Sequence, residues 1–126
     1  MVVEITELLS GYFVLSLYLY HMKYLITESQ FDKVIFKYLD NQDFIRIEKD
    51  NKIYFVNSEG DEYAQIRYDE DSGWCYINKK LVEEISTFFS IQEFNSQLVI
   101  GRWVENTLQM EVKNTERLRY LLRPKN

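Results

Sequence analysis

Four short β-type runs between residues 44 and 78 constrain the fold of this chain more than any other feature. The runs are rich in β-branched and aromatic residues, and they span Phe44–Lys49, Lys52–Asn57, Glu62–Tyr68 and Trp74–Asn78. The segments between them are rich in Asp, Asn, Ser and Gly, which favour tight turns. The first is only Asp50-Asn51, a length typical of a β-hairpin. The pattern therefore predicts a four-stranded antiparallel meander.

Alternation along these runs predicts that one side of the sheet faces the core. In the simplest register that side carries Ile45, Ile47, Ile53, Phe55, Ala64, Ile66, Trp74 and Tyr76. The meander also carries four tyrosines, Tyr54, Tyr63, Tyr68 and Tyr76. Some of these must face outward if alternating positions face the core, and exposed tyrosines are common at protein contacts. The four tyrosines are therefore a candidate protein-contact face.

Apolar residues at helical spacing flank the meander on both sides. One amphipathic stripe predicts a helix over about 28–40, and others predict helices over 81–89 and 99–108, with a loop at Gln92–Ser96 between the last two. Gly101 weakens the last helix by up to about 1 kcal/mol relative to Ala. Residues 117–122 fit either a short strand or the end of a helix. The order helix, meander, two helices predicts the α+β class, with the two C-terminal helices packed on the sheet.

The first 21 residues form an apolar leader with three open interpretations. Residues 8–20 are 13 strongly apolar residues, fewer than the roughly 20 that a membrane span needs, and Glu4 and Glu7 stand where a signal peptide needs basic residues. The run fits a short anchor, but its alternation fits a strand equally well. Alternatively, translation begins at Met22, so that 1–21 is a leader outside the native domain and 22–126 is the single domain.

The charge of the chain is unevenly distributed. The net charge is −5 overall, but residues 113–126 carry +4 and residues 1–112 carry −9. The basic tail has five cations, Lys113, Arg117, Arg119, Arg123 and Lys125. These side chains are candidate phosphate contacts to a nucleic acid. The alternative is a solvated terminus that offsets the acidic body.

The residue types that build most active sites are scarce. The chain has one histidine, His21, and one cysteine, Cys75. An internal disulfide therefore lacks its second cysteine and a zinc site lacks ligands, and a Ser-His-Asp triad would depend on His21. The acidic pairs lie in expected turns or on the solvent side of a helix, where solvent keeps carboxylates ordinary. We therefore expect no catalytic residues, no metal and no cofactor. A single cysteine also fits a reducing compartment, and the expected location is the cytoplasm.

Three segments carry a resemblance to other proteins. They are Lys23–Gln30 (KYLITESQ), Ser86–Ser90 (STFFS) and Ile100–Gln109 (IGRWVENTLQ). Through them the chain resembles, over about residues 22–115, a group of short proteins from mainly aquatic phage genomes that has no known activity. The resemblance implies Met22 as the usual start and life inside an infected microbial host, and it supplies no site residues.

The sequence thus favours a non-enzymatic protein that binds another macromolecule through the sheet tyrosines. The favoured class of partner is a protein. The alternatives are a nucleic-acid-associated protein that uses the basic tail and a membrane-attached protein that uses residues 8–20. The sheet tyrosines are the evidence for protein binding, since the Phe and Trp residues largely fit the core stripes.

Overall fold

A computed structural model of the chain describes residues 2–4 and 25–124, with side chains over 30–124. The strands are β1 (Val2–Glu4), β2 (Leu25–Thr27), β3 (Ile45–Lys49), β4 (Lys52–Val56), β5 (Ile66–Asp69), β6 (Trp74–Asn78) and β7 (Asn114–Leu118). The helices are α1 (Glu28–Asp40), α2 (Lys79–Phe89) and α3 (Glu93–Leu108). Residues 8–20, His21 and Met22 lie outside the described residues, so the anchor and the alternative start stay predictions.

The main sheet has five strands in the order β3-β4-β5-β6-β7. The α+β class is confirmed, and β3 to β6 form an antiparallel meander as the sequence predicts. The bounds of the third run, Glu62–Tyr68, are wrong, because β5 begins only at Ile66. The expectation of a purely antiparallel four-stranded sheet is wrong, because β7 joins as a fifth strand parallel to β6. A separate antiparallel pair joins β1 to β2, with Val2 opposite Thr27.

The path of the chain explains why β7 is parallel. After β6, the chain runs through α2 and α3 and returns to the same end of the sheet, which is the crossover that parallel strands require. The strand begins three residues before the 117–122 segment in which the sequence allowed one. Its sequence, Asn-Thr-Glu-Arg-Leu, is polar because β7 is an edge strand with no buried residue, so it lacks the apolar signal of an inner strand.

The predicted core side of the sheet is wrong in five of its eight members: Ile45, Ile47, Ala64, Trp74 and Tyr76 lie outside the main core. The register places Ile47 opposite Tyr54 and Glu48 opposite Ile53. A two-residue turn pairs odd-numbered positions with even-numbered ones, so Ile45 and Ile47 share a side with Tyr54 and Val56 rather than with Ile53. Asp50 and Asn51 both have positive φ, at 55° and 60°, as a type I′ turn requires.

The three helices cover one side of the sheet and form the core with it. The sheet contributes Ile53, Phe55, Ile66, Tyr68, Cys75 and Ile77 to this cluster. The helices contribute Phe31, Ile35, Leu39, Leu81, Val82, Ile85, Phe89, Val99, Ile100, Trp103, Val104 and Leu108. The apolar stripes that predicted the helices are therefore confirmed as their buried faces.

Polar contacts fix the helices in place. The indole N–H of Trp103 on α3 donates to Asp40 on α1 at 2.9 Å. Arg102, also on α3, forms a bidentate ion pair with Asp32 on α1, with N–O distances of 2.6 and 3.0 Å. Asn78 caps α2, since its side-chain oxygen accepts from Lys80 N at 2.9 Å. The loop expected at Gln92–Ser96 is wrong, because α3 already begins at Glu93.

Candidate protein-contact surface

The side of the sheet away from the helices is called here the outer face. Pairing register and alternation place the following side chains on it: Ile45, Ile47, Lys49, Lys52, Tyr54, Val56, Arg67, Asp69, Trp74, Tyr76, Asn78, Asn114, Glu116 and Leu118. Tyr54, Val56, Ala64 and Leu121 form a small second apolar cluster on this side, separate from the main core. Seven of the fourteen side chains on the outer face are therefore apolar or aromatic.

An aromatic and cationic group lies at the centre of the outer face. The rings of Trp74 and Tyr76 stack with centroids 6.2 Å apart and an interplanar angle of 29°. The guanidinium of Arg67, on the neighbouring strand, lies 4.4 Å from the centre of the Tyr76 ring, within the range of a cation–π contact. Arg67 is also held by Asp69, with Nε at 2.9 Å from Oδ1. The guanidinium is therefore fixed in place with part of its surface open to solvent.

The apolar end of the outer face is closed by the C-terminal segment. Leu121 is buried there, and its carbonyl accepts from Ala64 N at 2.7 Å. Tyr63 forms an isolated bridge with Leu122 at the same end. The segment covers the neighbourhood of Val56 and Ala64 and leaves Trp74 and Tyr76, nearer to the sheet centre, partly exposed.

The four candidate tyrosines do not form one surface. Tyr54 and Tyr76 lie on the outer face, where Tyr54 is buried between its neighbours and Tyr76 is partly exposed. Burial raises the pKa of Tyr54, and the positive charge of Arg67 opposes this shift. Tyr63 lies in the turn before β5, 6.0 Å from the ring of Tyr120.

Tyr68 belongs to the opposite side of the sheet. It is 4% exposed, within the main core, and its hydroxyl donates to the carbonyl of Glu111 at 2.7 Å. Burial raises its pKa. Sequence reasoning missed Trp74 and Arg67 as partners of Tyr76, because it assigned Trp74 to the core and gave Arg67 no role. The pairing of β5 with β6 brings these three side chains together.

The basic tail does not form one cationic patch. Arg117 is ion-paired with Glu93 at the start of α3, and Arg123 donates to the carbonyl oxygens of Glu59 and Asp61. The methylenes of Lys113 lie against Gly73, at the other end of β7. Five strand residues separate Lys113 from Arg119, which puts them about 20 Å apart. Lys125 lies outside the described residues.

Arg119 lines a cleft of about 260 Å³ at the start of α2. The lining residues are Asp61, Glu62, Tyr63, Gln65, Asn78, Lys80, Arg119 and Tyr120. Two carboxylates accompany the two cations, so the cleft has no excess of positive charge to attract a phosphate. Asn78, at its base, already donates to Ala64 O at 3.2 Å and caps the helix.

Chemistry at the remaining polar groups is limited. Cys75 is fully buried, and burial raises the pKa of its thiol to about 12, so the thiolate that reacts as a nucleophile is suppressed. Over the residues that the structure describes, no group of three or more His, Cys, Asp or Glu side chains is placed to hold a metal ion. Over the same residues, no helix combines the length and the apolar character needed to cross a membrane.

Comparison of the chain with protein-family models, with curated proteins and with solved structures finds no match.

Proposed function

We propose that this protein acts by binding another protein through its outer face and that it performs no catalysis itself. The observation that carries the proposal is the contact set of Trp74, Tyr76 and Arg67 at the centre of that face. Trp, Tyr and Arg are the three residue types most enriched among the residues that dominate binding energy at protein interfaces. Here they occur together, partly exposed, on adjacent strands.

The rigidity of this group supports the proposal. Trp74 and Tyr76 project from β6, an inner strand paired on both sides, and Arg67 is fixed by Asp69 and by the ring of Tyr76. Side chains that are ordered before binding lose little conformational entropy when a partner arrives. The group is therefore suited to act as a preformed anchor.

The charge of the outer face indicates the chemistry of the partner. Three cations, Lys49, Lys52 and Arg67, accompany two carboxylates, Asp69 and Glu116, although the chain as a whole has a net charge of −5. A partner surface that presents apolar groups together with carboxylates would complement this face and be repelled by most of the rest of the protein.

Capture from a microbial lysate with matched variants tests the proposal. The test variant is Trp74→Thr with Tyr76→Thr, which removes both rings and keeps residues that favour a strand. The control variant is Phe94→Ser with Tyr120→Ser, which removes two aromatic rings that are 61% and 67% exposed elsewhere. We expect proteins that bind wild type and the control to be lost from the test variant, with binding of the purified partner weakened about 30-fold or more.

The variants must unfold at the same urea midpoint as wild type, so that any loss of binding reports on the surface. If the test variant captures the same proteins as wild type with the same affinity, the outer face is not the contact. A partner lost only from the Phe94 and Tyr120 variant would move the contact to the surface of those side chains.

A further inference from the structure

The two edges of the five-stranded sheet differ in how their backbone groups are satisfied. At the β7 edge, pairing with β6 turns the N–H and C=O of Thr115 away from the sheet. Both groups are nevertheless bonded: Thr115 N donates to the side chain of Asn114 at 2.9 Å, and Gln97 on α3 donates to Thr115 O at 3.0 Å. The backbone of Thr115 is therefore not available to another strand.

Among the residues that the structure describes, the β3 edge is open. The two-residue turn makes Lys49 and Lys52 a hydrogen-bonded pair, so that Ile45, Ile47 and Lys49 direct their backbone groups toward β4. Arg46 and Glu48 then direct theirs away from the sheet. Within residues 2–4 and 25–124, no group is hydrogen-bonded to the backbone N–H or C=O of these two residues. An unpaired strand edge is a template for another strand.

We propose that β3 pairs antiparallel with β3 of a second copy of this chain, about a two-fold axis that passes beside Ile47. In this register Arg46 of each copy stands opposite Glu48 of the other, and each such pair exchanges both backbone N–H···O bonds. Ile47 faces Ile47 of the second copy, with their Cβ atoms about 5 Å apart. The interface is isologous and closes at two copies.

Charge selects this register over its neighbours. Ladder bonds form only when outward-directed residues oppose one another, so the alternative registers differ by a shift of two residues. A shift in one direction places Arg46 opposite Arg46, and a shift in the other places Glu48 opposite Glu48. Like charges directly opposite each other destabilise a pair of strands. Arg46 and Glu48 already form an ion pair within one strand, at 3.2 Å, so the dimer would place four charges in a two-by-two group in which each charge has opposite charges beside it and across from it.

The pairing has a consequence for the outer face. A two-fold axis perpendicular to the sheet keeps both outer faces on the same side, so β3–β3 pairing would join them into one continuous surface. The half-buried Ile45 and Ile47 of each copy would lie at the middle of that surface. The inference goes beyond the proposed function, because the dimer uses the edge of the sheet and not the Trp74–Tyr76 group.

Charge-reversal variants of the full-length chain test the pairing. Arg46 and Glu48 have side chains that are 43% and 59% exposed, so reversal should leave the fold intact. We expect the mass of wild type in sedimentation to rise from 15.3 kDa toward twice that value as concentration increases. Arg46→Glu alone and Glu48→Arg alone should each weaken dimerisation at least tenfold, because each places like charges opposite one another.

Two combinations give the test its specificity. The double variant Arg46→Glu with Glu48→Arg restores opposite charges and should dimerise like wild type. An equimolar mixture of the two single variants should form a heterodimer, since one chain then carries only acidic and the other only basic residues at these positions. Amide hydrogen exchange at residues 46 and 48 should slow on dimerisation. The variant Trp74→Thr with Tyr76→Thr should dimerise like wild type.

Several results would overturn the proposal. These are a wild type that stays monomeric at every concentration, single variants that dimerise as well as wild type, a mixture that stays monomeric, and assembly beyond two copies. Protection of residues 46 and 48 that develops only when a captured partner protein is added would assign the β3 edge to that partner instead. Single variants that lose dimerisation but still capture the partner would support the dimer and would not contradict partner binding by the outer face.

Discussion

The methyl carbon of Thr115 on β7 lies 2.6 Å from the position that a Cβ atom on Gly101 would occupy. Real Cβ atoms do not approach another carbon so closely, so α3 can pack under β7 only because residue 101 has no side chain. The glycine weakens the helix when it is considered alone, and the contact with β7 explains why the helix contains it. This contact supports the first prediction.

Gly101→Ala should destabilise the protein by about 1–2 kcal/mol, because crowding against Thr115 outweighs the gain of about 1 kcal/mol in helix propensity. The measurement is the free energy of unfolding in urea. Thr115→Ser removes the crowded methyl and keeps the hydroxyl that accepts from Gln97, so adding it to Gly101→Ala should recover most of the loss. Gly60→Ala, with no atom within 4 Å of the new Cβ, is the neutral control. A stabilised Gly101→Ala protein would contradict the close packing.

Tyr68→Phe should lower the free energy of unfolding by about 1 kcal/mol and leave partner capture unchanged. The substitution removes the hydroxyl that donates to Glu111 O at 2.7 Å, and hydrogen bonds of this kind contribute about that amount. Tyr63→Phe, at a tyrosine 37% exposed, should change stability by less than about 0.5 kcal/mol. Reduced capture by a stably folded Tyr68→Phe protein would return Tyr68 to the contact surface.

Cys75 should react with a thiol reagent at pH 8.5 only through the unfolded state. Burial raises the pKa of this thiol from 9.0 to about 12, so the folded state holds almost no thiolate at that pH. The labelling rate should therefore rise with urea in parallel with the unfolded fraction. Rapid, urea-independent labelling would show that the thiol is accessible in the folded protein.

The same shift predicts how stability depends on pH. The folded state favours the neutral thiol, so the contribution of Cys75 is complete below pH 9 and is lost as the pH rises toward 12. Tyr54 and Tyr68, whose pKa values are also raised by burial, act in the same direction at higher pH. Subtracting the alkaline profile of Cys75→Ala from that of wild type isolates the thiol, and a flat difference above pH 9 would contradict the assignment.

Binding of DNA or RNA by the basic segment should be weak and should depend only shallowly on salt. Five cooperating cations would give a log–log slope of about −3 to −4, but Arg117 is paired with Glu93, Arg123 bonds to carbonyls and Lys113 lies apart from Arg119. We expect a slope no steeper than about −2. Glu93→Gln releases Arg117 and should steepen the log–log slope by about one unit, which is the contribution of one phosphate contact. A slope near −4 in the wild-type protein would favour the nucleic-acid hypothesis.

Local pattern predicted most of the secondary structure. The strands of the meander and the first helix were predictable because alternation, Asx-rich turns and apolar stripes are local properties of the chain. The start of α3 was not, because Glu93 and Asn95 are polar and Phe94 is exposed, so no buried apolar stripe marks the first turn. The helix is stabilised there by contacts such as that between the hydroxyls of Ser96 and Ser86, at 2.6 Å.

The candidate site was predictable in part. Tyr54 and Tyr76 were found because tyrosines in a sheet are conspicuous, but their neighbours Trp74 and Arg67 depend on how β5 pairs with β6. The misplacement of Ile45 and Ile47 has a single origin, which is the pairing of odd with even positions that a two-residue turn imposes. Tyr68 was misplaced because the four tyrosines were grouped as one candidate face, although alternation puts Tyr68 on the same side as Ile66, in the core.

The sequence by itself determined the α+β class, four of the strands of the main sheet, and the scarcity of catalytic side chains, since these follow from residue types and their spacing. Tertiary structure decided which side of the sheet is the core and that β7 joins parallel to β6. Among the described residues, it also decided that the outward backbone groups of Thr115 at one sheet edge are bonded while those of Arg46 and Glu48 at the other are not. Those features depend on strand register and on contacts such as Gln97 with Thr115, which join residues far apart in the chain and leave no periodic signal in it.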